Sequence, residues 1–119
     1  MSIEQTIAQT LGAWPALAGI VIRPDKAEEG DLRPYVTFQK LSGIRVNSLL
    51  GDSGLSNTHF QFDVFATTRL QAISVRKEVR LALQASALLG GVHTGEGATF
   101  EADTKLFRER VDFSFWFND

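Results

Sequence analysis

The sequence predicts an α+β fold: a mainly antiparallel sheet of about four strands with two helices packed on one face. Three observations predict it. Ser2–Gln5 and Thr68–Gln71 are helix-capping signatures, each followed by apolar residues at helical spacing. Residues 58–66 and 111–117 alternate large apolar residues with polar ones at a period of two. Residues 42–57, rich in glycine and serine, join one strand to the next in the manner of a hairpin connection.

The elements follow in chain order. Ser2 is the N-cap of the first helix, with Gln5 three residues on, Ile3, Ile7 and Leu11 on one stripe and Gly12 as the stop. Trp14–Gly19 reads as a short helical turn with Pro15 at its first position. Ile20–Ile22 is a brief β-branched run closed by Arg23-Pro24. Residues 25–34 are polar and end at a proline that forbids a helix across them. Tyr35–Leu41 alternates as a strand. With three glycines and four serines, 42–57 is expected to be a long loop, the kind that in small domains is functional or mobile. Thr58–Ala66 is the clearest strand, with Phe60, Phe62 and Val64 on one face and His59, Gln61, Asp63 and Phe65 on the other. The second helix is expected from Thr68 to about Leu88, burying Leu70, Ile73, Val79, Ala82 and Leu83 and turning Arg69, Arg76, Lys77 and Arg80 outward. Four glycines in 90–100 then break the pattern, a short strand is expected at 98–102, and Asp103–Lys105 turns the chain into a last strand with Val111, Phe113, Phe115 and Phe117 on one face.

A chain of 119 residues with no internal boundary is expected to form one domain, 1–119, burying about two-thirds of its unfolded surface. Its 44% hydrophobic and 22% charged content is that of an ordinary globule, and a net charge of −2 supports no general attraction to nucleic acid or membrane. The absence of cysteine excludes disulfides, thiol chemistry and cysteine-based zinc sites. The first residues are acidic and amphipathic rather than basic then apolar, so no signal peptide is expected. No apolar run reaches the length of a membrane span, and no membrane partner is expected.

Gly51-Asp52-Ser53-Gly54 spells the surroundings of a protease nucleophile, with His59 and Asp63 downstream. On a strand, however, side chains four residues apart lie roughly 13 Å from each other, too far for a base and its orienting acid to bond. The tetrapeptide reads instead as the tip of a hairpin loop, and no catalytic residue is expected. His93, Glu96, Glu101 and Asp103 match no metal-ligand spacing, and "GGVHTGEG" lacks the Gly-Lys-Ser/Thr of a phosphate loop. No metal or cofactor is expected. Arg69, Arg76, Lys77 and Arg80 form a basic helix face that is either solvated or an electrostatic contact for phosphate or an acidic partner. Phe65 and Trp116 fall on the sheet face opposite the phenylalanine core, which makes them either a partner surface or residues covered by the first helix or by 14–22.

The order of "MSIEQTI", "WPALAGI", "RPYVTFQKLSG", "SGLSNTHFQFDVFATT", "AISVRKEVRLAL" and "LFRERVDFSFWF" resembles the tail completion proteins of tailed bacteriophages and prophages, a family related in fold to the phage lambda tail terminator. The resemblance spans nearly the whole chain and rests on order and spacing. It implies structural work: a ring, usually of six subunits, that sits on the tail tube, halts its polymerisation and offers a surface to the head connector. It also implies strands near 20–22 and 98–102. The partners would be further copies of the chain, the tube protein and the connector protein, in a virion tail assembled in the bacterial cytoplasm. Specific nucleic-acid binding is not implied.

A closed ring needs two different surfaces per subunit. Phe65 and Trp116 on the far sheet face, and Arg45, Asn47, Leu49, Leu50 and Leu55 in the 43–57 segment, are the candidates. Two other classes compete with this reading: a nucleic-acid-binding module using the basic helix face, and a serine hydrolase using Ser53.

Overall fold

The computed structural model describes residues 2–28, 30–48, 51–86, 89 and 91–118; for 43–48, 51–56 and 118 it describes the backbone alone. The elements are α1 (Ile3–Ala13), a 3-10 turn (Pro15–Leu17), β1 (Val21–Pro24), β2 (Tyr35–Ser48), β3 (Gly51–Ala66), α2 (Arg69–Ala85), β4 (Val92–Glu101) and β5 (Leu106–Asn118). The fold is α+β as expected, but the sheet has five strands, in the order β1-β2-β3-β5-β4, and its β1–β2 pair is parallel. Residues 25–34 carry the chain back over the sheet to start β2 alongside β1. That crossover is fastened by Arg23, whose Nε and Nη2 donate to the two carboxylate oxygens of Asp31 at 3.2 and 3.1 Å, and by the Glu28 N–H, which donates to the same carboxylate at 2.9 Å. The Arg23 hydrogen bond holds the Asp31 carboxyl below the usual carboxylate range.

Both helix starts follow the sequence. Ser2 and Gln5 form the full capping box, with reciprocal bonds of 3.2 and 3.0 Å. At α2 only the Thr68 half is present: its hydroxyl accepts from the Gln71 N–H. The buried stripe of α2 differs from the expected one. Ala72, Val75, Val79, Ala82 and Leu83 face the sheet, whereas Leu70 is 81% exposed and Ile73 also lies at the surface. Val79, Ala82 and Leu83 are buried as expected; starting the period at the first leucine after the cap misplaced only the first turns, where Ala72 and Val75 take the places expected for Leu70 and Ile73.

The core lies between that sheet face and the two helices. Phe38 of β2, Phe60, Phe62 and Val64 of β3 and Val111, Phe113 and Phe115 of β5 meet Ile3, Ile7, Leu11, Leu17, Val75, Val79 and Leu83. The rings form a continuous layer: Phe62 meets Phe113 and Phe115 edge-on at 6.2 Å, and Phe113 stacks on Phe115 at 5.7 Å. Edge-on and stacked geometries each add about 0.5–1.5 kcal/mol to the burial of the rings. Trp14 pins the 3-10 turn to α2, its indole N–H donating to Glu78 at 2.8 Å.

Two segments that composition marks as loops are strand. Residues 42–57 are not a long connection. β2 and β3 stay paired antiparallel out to Val46↔Leu55 and Ser48↔Gly51, with register shifts at Lys40/Ser42 and Val46/Asn47. Gly51–Gly54 therefore opens β3 rather than tipping a flexible loop. Leu41 and Ser42 are already exposed, and the serines and glycines beyond them read as loop although the backbone stays paired. The molecule accordingly measures 52 Å along its longest axis and 27 and 24 Å across it. The glycine-rich run is β4, paired with β5 over Val92–Glu101 rather than 98–102. Just ahead of β4, glycine is a packing requirement: a Cβ on Gly91 would stand 2.8 Å from Phe115 Cε1 in the packed core. One on Gly97 would stand 3.2 Å from the end of the Arg110 side chain, which can give way.

Phe62→Ala is expected to lower unfolding free energy by about 3–5 kcal/mol in urea titration, as a truncation at the centre of the layer. Gly91→Ala should lower it by about 1–3 kcal/mol through overpacking. Gly12→Ala, where a Cβ meets nothing within 4 Å, should leave stability unchanged or raise it by up to about 1 kcal/mol. Equal effects at the two glycines would overturn the packing argument for Gly91.

Candidate assembly surfaces

The helix-covered face of the sheet explains where the basic residues of α2 go. β5 alternates, so Phe107, Glu109 and Val111 point toward α2, and Glu109 is only 5% exposed. Its carboxylate accepts from Arg69 Nη1 at 2.6 Å, and its other oxygen lies 3.2 Å from Arg76 Nε. Arg76 also bonds Glu96 on β4, and the Arg69 guanidinium lies 4.9 Å over the Phe107 ring. Two of the four cations on the helix are thus committed to acids on the sheet, and Glu78 is committed to Trp14. A buried carboxylate held this way is strongly destabilising if a partner is removed. This weakens the case for the helix as a phosphate-binding face.

The opposite sheet face carries a polar network rather than bare aromatics. Asp63 accepts from Arg108 Nε at 2.9 Å and from Gln61 Nε2 at 3.0 and 3.2 Å. The Asp63 hydrogen bond raises Arg108 above the ordinary guanidinium value. Arg108 in turn lies 5.7 Å over the Phe65 ring, whose other neighbour is Tyr35, stacked at 5.0 Å. Desolvation in that stack raises the Tyr35 phenol. A shallow groove of about 230 Å³ runs over these residues, walled by Asp25 and Lys26 of the crossover.

The site residues expected from the sequence separate into three places. Phe65 is half-buried by Tyr35 and Arg108; neither α1 nor residues 14–22 covers it. Trp116 is 47% exposed and pairs across β3 with Asn57, whereas Phe65 pairs with Arg108. Positions 57 and 65 are on the order of 26 Å apart along a strand, so the two aromatics belong to separate surfaces. Arg45, Asn47 and Leu55 lie on the paired arm of β2 and β3, their side chains outside the description; Leu49 and Leu50 lie outside the described residues. Of the protease-like set, His59 and Asp63 share one strand and Asp63 is engaged by Arg108 and Gln61; the Ser53 side chain is outside the description. His93 lies tilted against Phe113 at 5.5 Å and Glu96 turns to Arg76, so neither joins a ligand cluster with Glu101 and Asp103. The Asp63–Arg108–Phe65–Tyr35 network was missed by sequence reasoning; its signal was Arg108 on the far side of a strand from Phe107 and Glu109.

Arg76→Ala is expected to cost about 1.5–3 kcal/mol by leaving the buried Glu109 carboxylate with Arg69 as its one remaining cation partner among the described residues. Lys77→Ala should stay within about 0.5 kcal/mol of the native chain. If both substitutions behave alike in thermal or urea unfolding, the arginine clasp on Glu109 contributes nothing to docking the helix.

Comparison of the sequence with curated proteins returns no significant match. Among solved structures, the fold is similar to that of a chain in the virion of a native gene transfer agent particle, at 20% identity and a TM-score of 0.77, covering 97% of this chain and 93% of that one. The sequence matches the profile of the family described as tail completion protein gp17 over residues 5–118, so the chain, with its two helices docked on one face of a five-stranded sheet and the Asp63–Arg108 network on the other, belongs to that family of phage tail structural proteins.

Proposed function

We propose that this protein is a tail terminator. Copies of it, six by the resemblance to lambda-type terminators, close into a ring on the end of the tail tube, stop its polymerisation and present the surface to which the head connector binds. The observation that carries this reading is the family match over residues 5–118. The likeness in fold to a subunit of a gene transfer agent virion supports it. So does the geometry: the β2–β3 arm and the open sheet face are different surfaces of one subunit, as a head-to-tail ring requires. Trp116 on the open face is one contact and Phe65, with its Tyr35–Arg108 network, a second. The arm residues Arg45, Asn47, Leu49, Leu50 and Leu55 reach the neighbouring subunit or the tube. Assembly takes place in the cytoplasm of the bacterial host.

Electron microscopy of particles from a phage or prophage lacking this gene tests the reading. Tails of uncontrolled length, or finished tails lying apart from filled heads, are the expected result; normal joined virions would overturn it. At the residue level, Trp116→Ala should reduce incorporation into tails while the purified protein unfolds within about 1 kcal/mol of the native chain. A loss of stability equal to that of Phe62→Ala would place Trp116 in the core and remove it from the interface.

A further inference from the structure

The sheet has two unpaired edges, and the pairing register shows where they are. Asp25 N–H donates to the Phe38 carbonyl at 2.8 Å, so Phe38 turns its backbone groups toward β1. β1 ends at Pro24, opposite Phe38, and among the described residues nothing pairs with that side of β2 over 39–48. Carried across the sheet by the period of two, the same register makes Arg108, Arg110 and Asp112 bond to β4. Glu96, Ala98 and Phe100 then turn their N–H and C=O groups outward, and no described strand pairs with them.

Long unpaired edges are templates for adding a strand, and proteins that keep them unused blunt them with proline, bulges or inward charges. Neither span contains proline, though each carries a register shift, at Lys40/Ser42 and Val46/Asn47 on β2 and at His93/Gly95 near the start of β4. Both leave apolar side chains in solvent: Leu41 is 52% exposed on β2, and Val92 and Phe100 are 56% and 48% exposed on β4. The spans also differ in charge. Residues 39–48 carry Lys40 and Arg45 and no acid, whereas 92–101 carry Glu96 and Glu101 and no lysine or arginine. Like edges would therefore set like charges together, and unlike edges set opposite ones. Strand direction agrees. β2 and β4 run in opposite directions, so two subunits placed side by side in the same orientation bring them together antiparallel.

We infer that neighbouring subunits join by antiparallel strand addition, the outer edge of β4 in one copy pairing with residues 39–48 of β2 in the next, so that the sheet runs on from subunit to subunit. The inference rests on the ring reading above and supplies its joint. The occupant of each edge is a second copy of this chain, because the complementary edge is carried by the chain itself.

The native chain has no cysteine, so engineered pairs report without background. Ala98→Cys is combined with single cysteines scanned along 43–47, and oxidised tails from variant-bearing particles are run on a non-reducing gel. Antiparallel pairing brings some of these positions within the roughly 4.4–6.8 Å Cα separation that a disulfide spans. The expected result is a ladder of multiples of 13.1 kDa from a subset of positions. In parallel, Ala98→Pro removes one outward N–H and no bond to β5, and should abolish tail-end rings, while Ala98→Ser should assemble normally. Rings visible at tail ends without a ladder from any pair would overturn the edge joint and leave the ring standing. A product joining Ala98→Cys to a different virion protein would overturn the occupant. Tail ends carrying this protein without a ring would overturn the terminator reading and the joint together.

Discussion

Everything in the subunit hangs on the pairing of β3 with β5. β3 lies at the centre of the sheet, and along this seam Phe60 and Phe62 on one strand and Phe113 and Phe115 on the other form the layer on which both helices rest. These rings are almost fully buried and make up most of the apolar side of the sheet that the helices cover. The opposite residues of the same strands are therefore free to be polar, and they build the Asp63–Arg108 network.

The helix side has its own constraint in Glu109. A carboxylate placed in the core margin is retained only with its charge and lone pairs engaged. Arg69 and Arg76, seven residues apart and so on the same side of α2, meet it together. The clasp ties α2 to one position on β5, alongside the close packing of its buried stripe on the sheet. The bond from Trp14 to Glu78 does the same for the N-terminal turn.

Much of this was legible in the sequence, and what was not has a common cause. Where a segment faces the core, its alternation or capping announces it: Thr58–Ala66, Val111–Phe117, Ser2–Gln5 and Thr68 are found where their patterns place them. Where serine and glycine dominate a strand, the sequence offers little alternation to read. The outer halves of β2 and β3 and much of β4 are of this kind, and they imitate loops. The glycines mislead further, since Gly91, just ahead of β4, lies against Phe115 and Gly97 lies under Arg110. The parallel placement of β1 was invisible because the crossover that creates it is ordinary polar loop in composition. Of the surface residues, Trp116 was legible as an outward aromatic. Phe65 was legible in its facing but not in its company, because Tyr35 and Arg108 reach it from other strands.

The interposition of α2 between β3 and β5 has a consequence for the order in which the chain acquires its structure. The β2–β3 and β4–β5 pairs are hairpins, each closed by a short segment, and contacts of that kind form in microseconds. The central seam instead brings residue 60 to residue 113. Loop-closure entropy grows with the length enclosed, so such pairings are slow and set the rate for sheets of this topology. The two hairpins are thus the early pieces and the aromatic seam the late one. The phenylalanines that make the finished subunit rigid are the same groups that the half-formed chain exposes for longest.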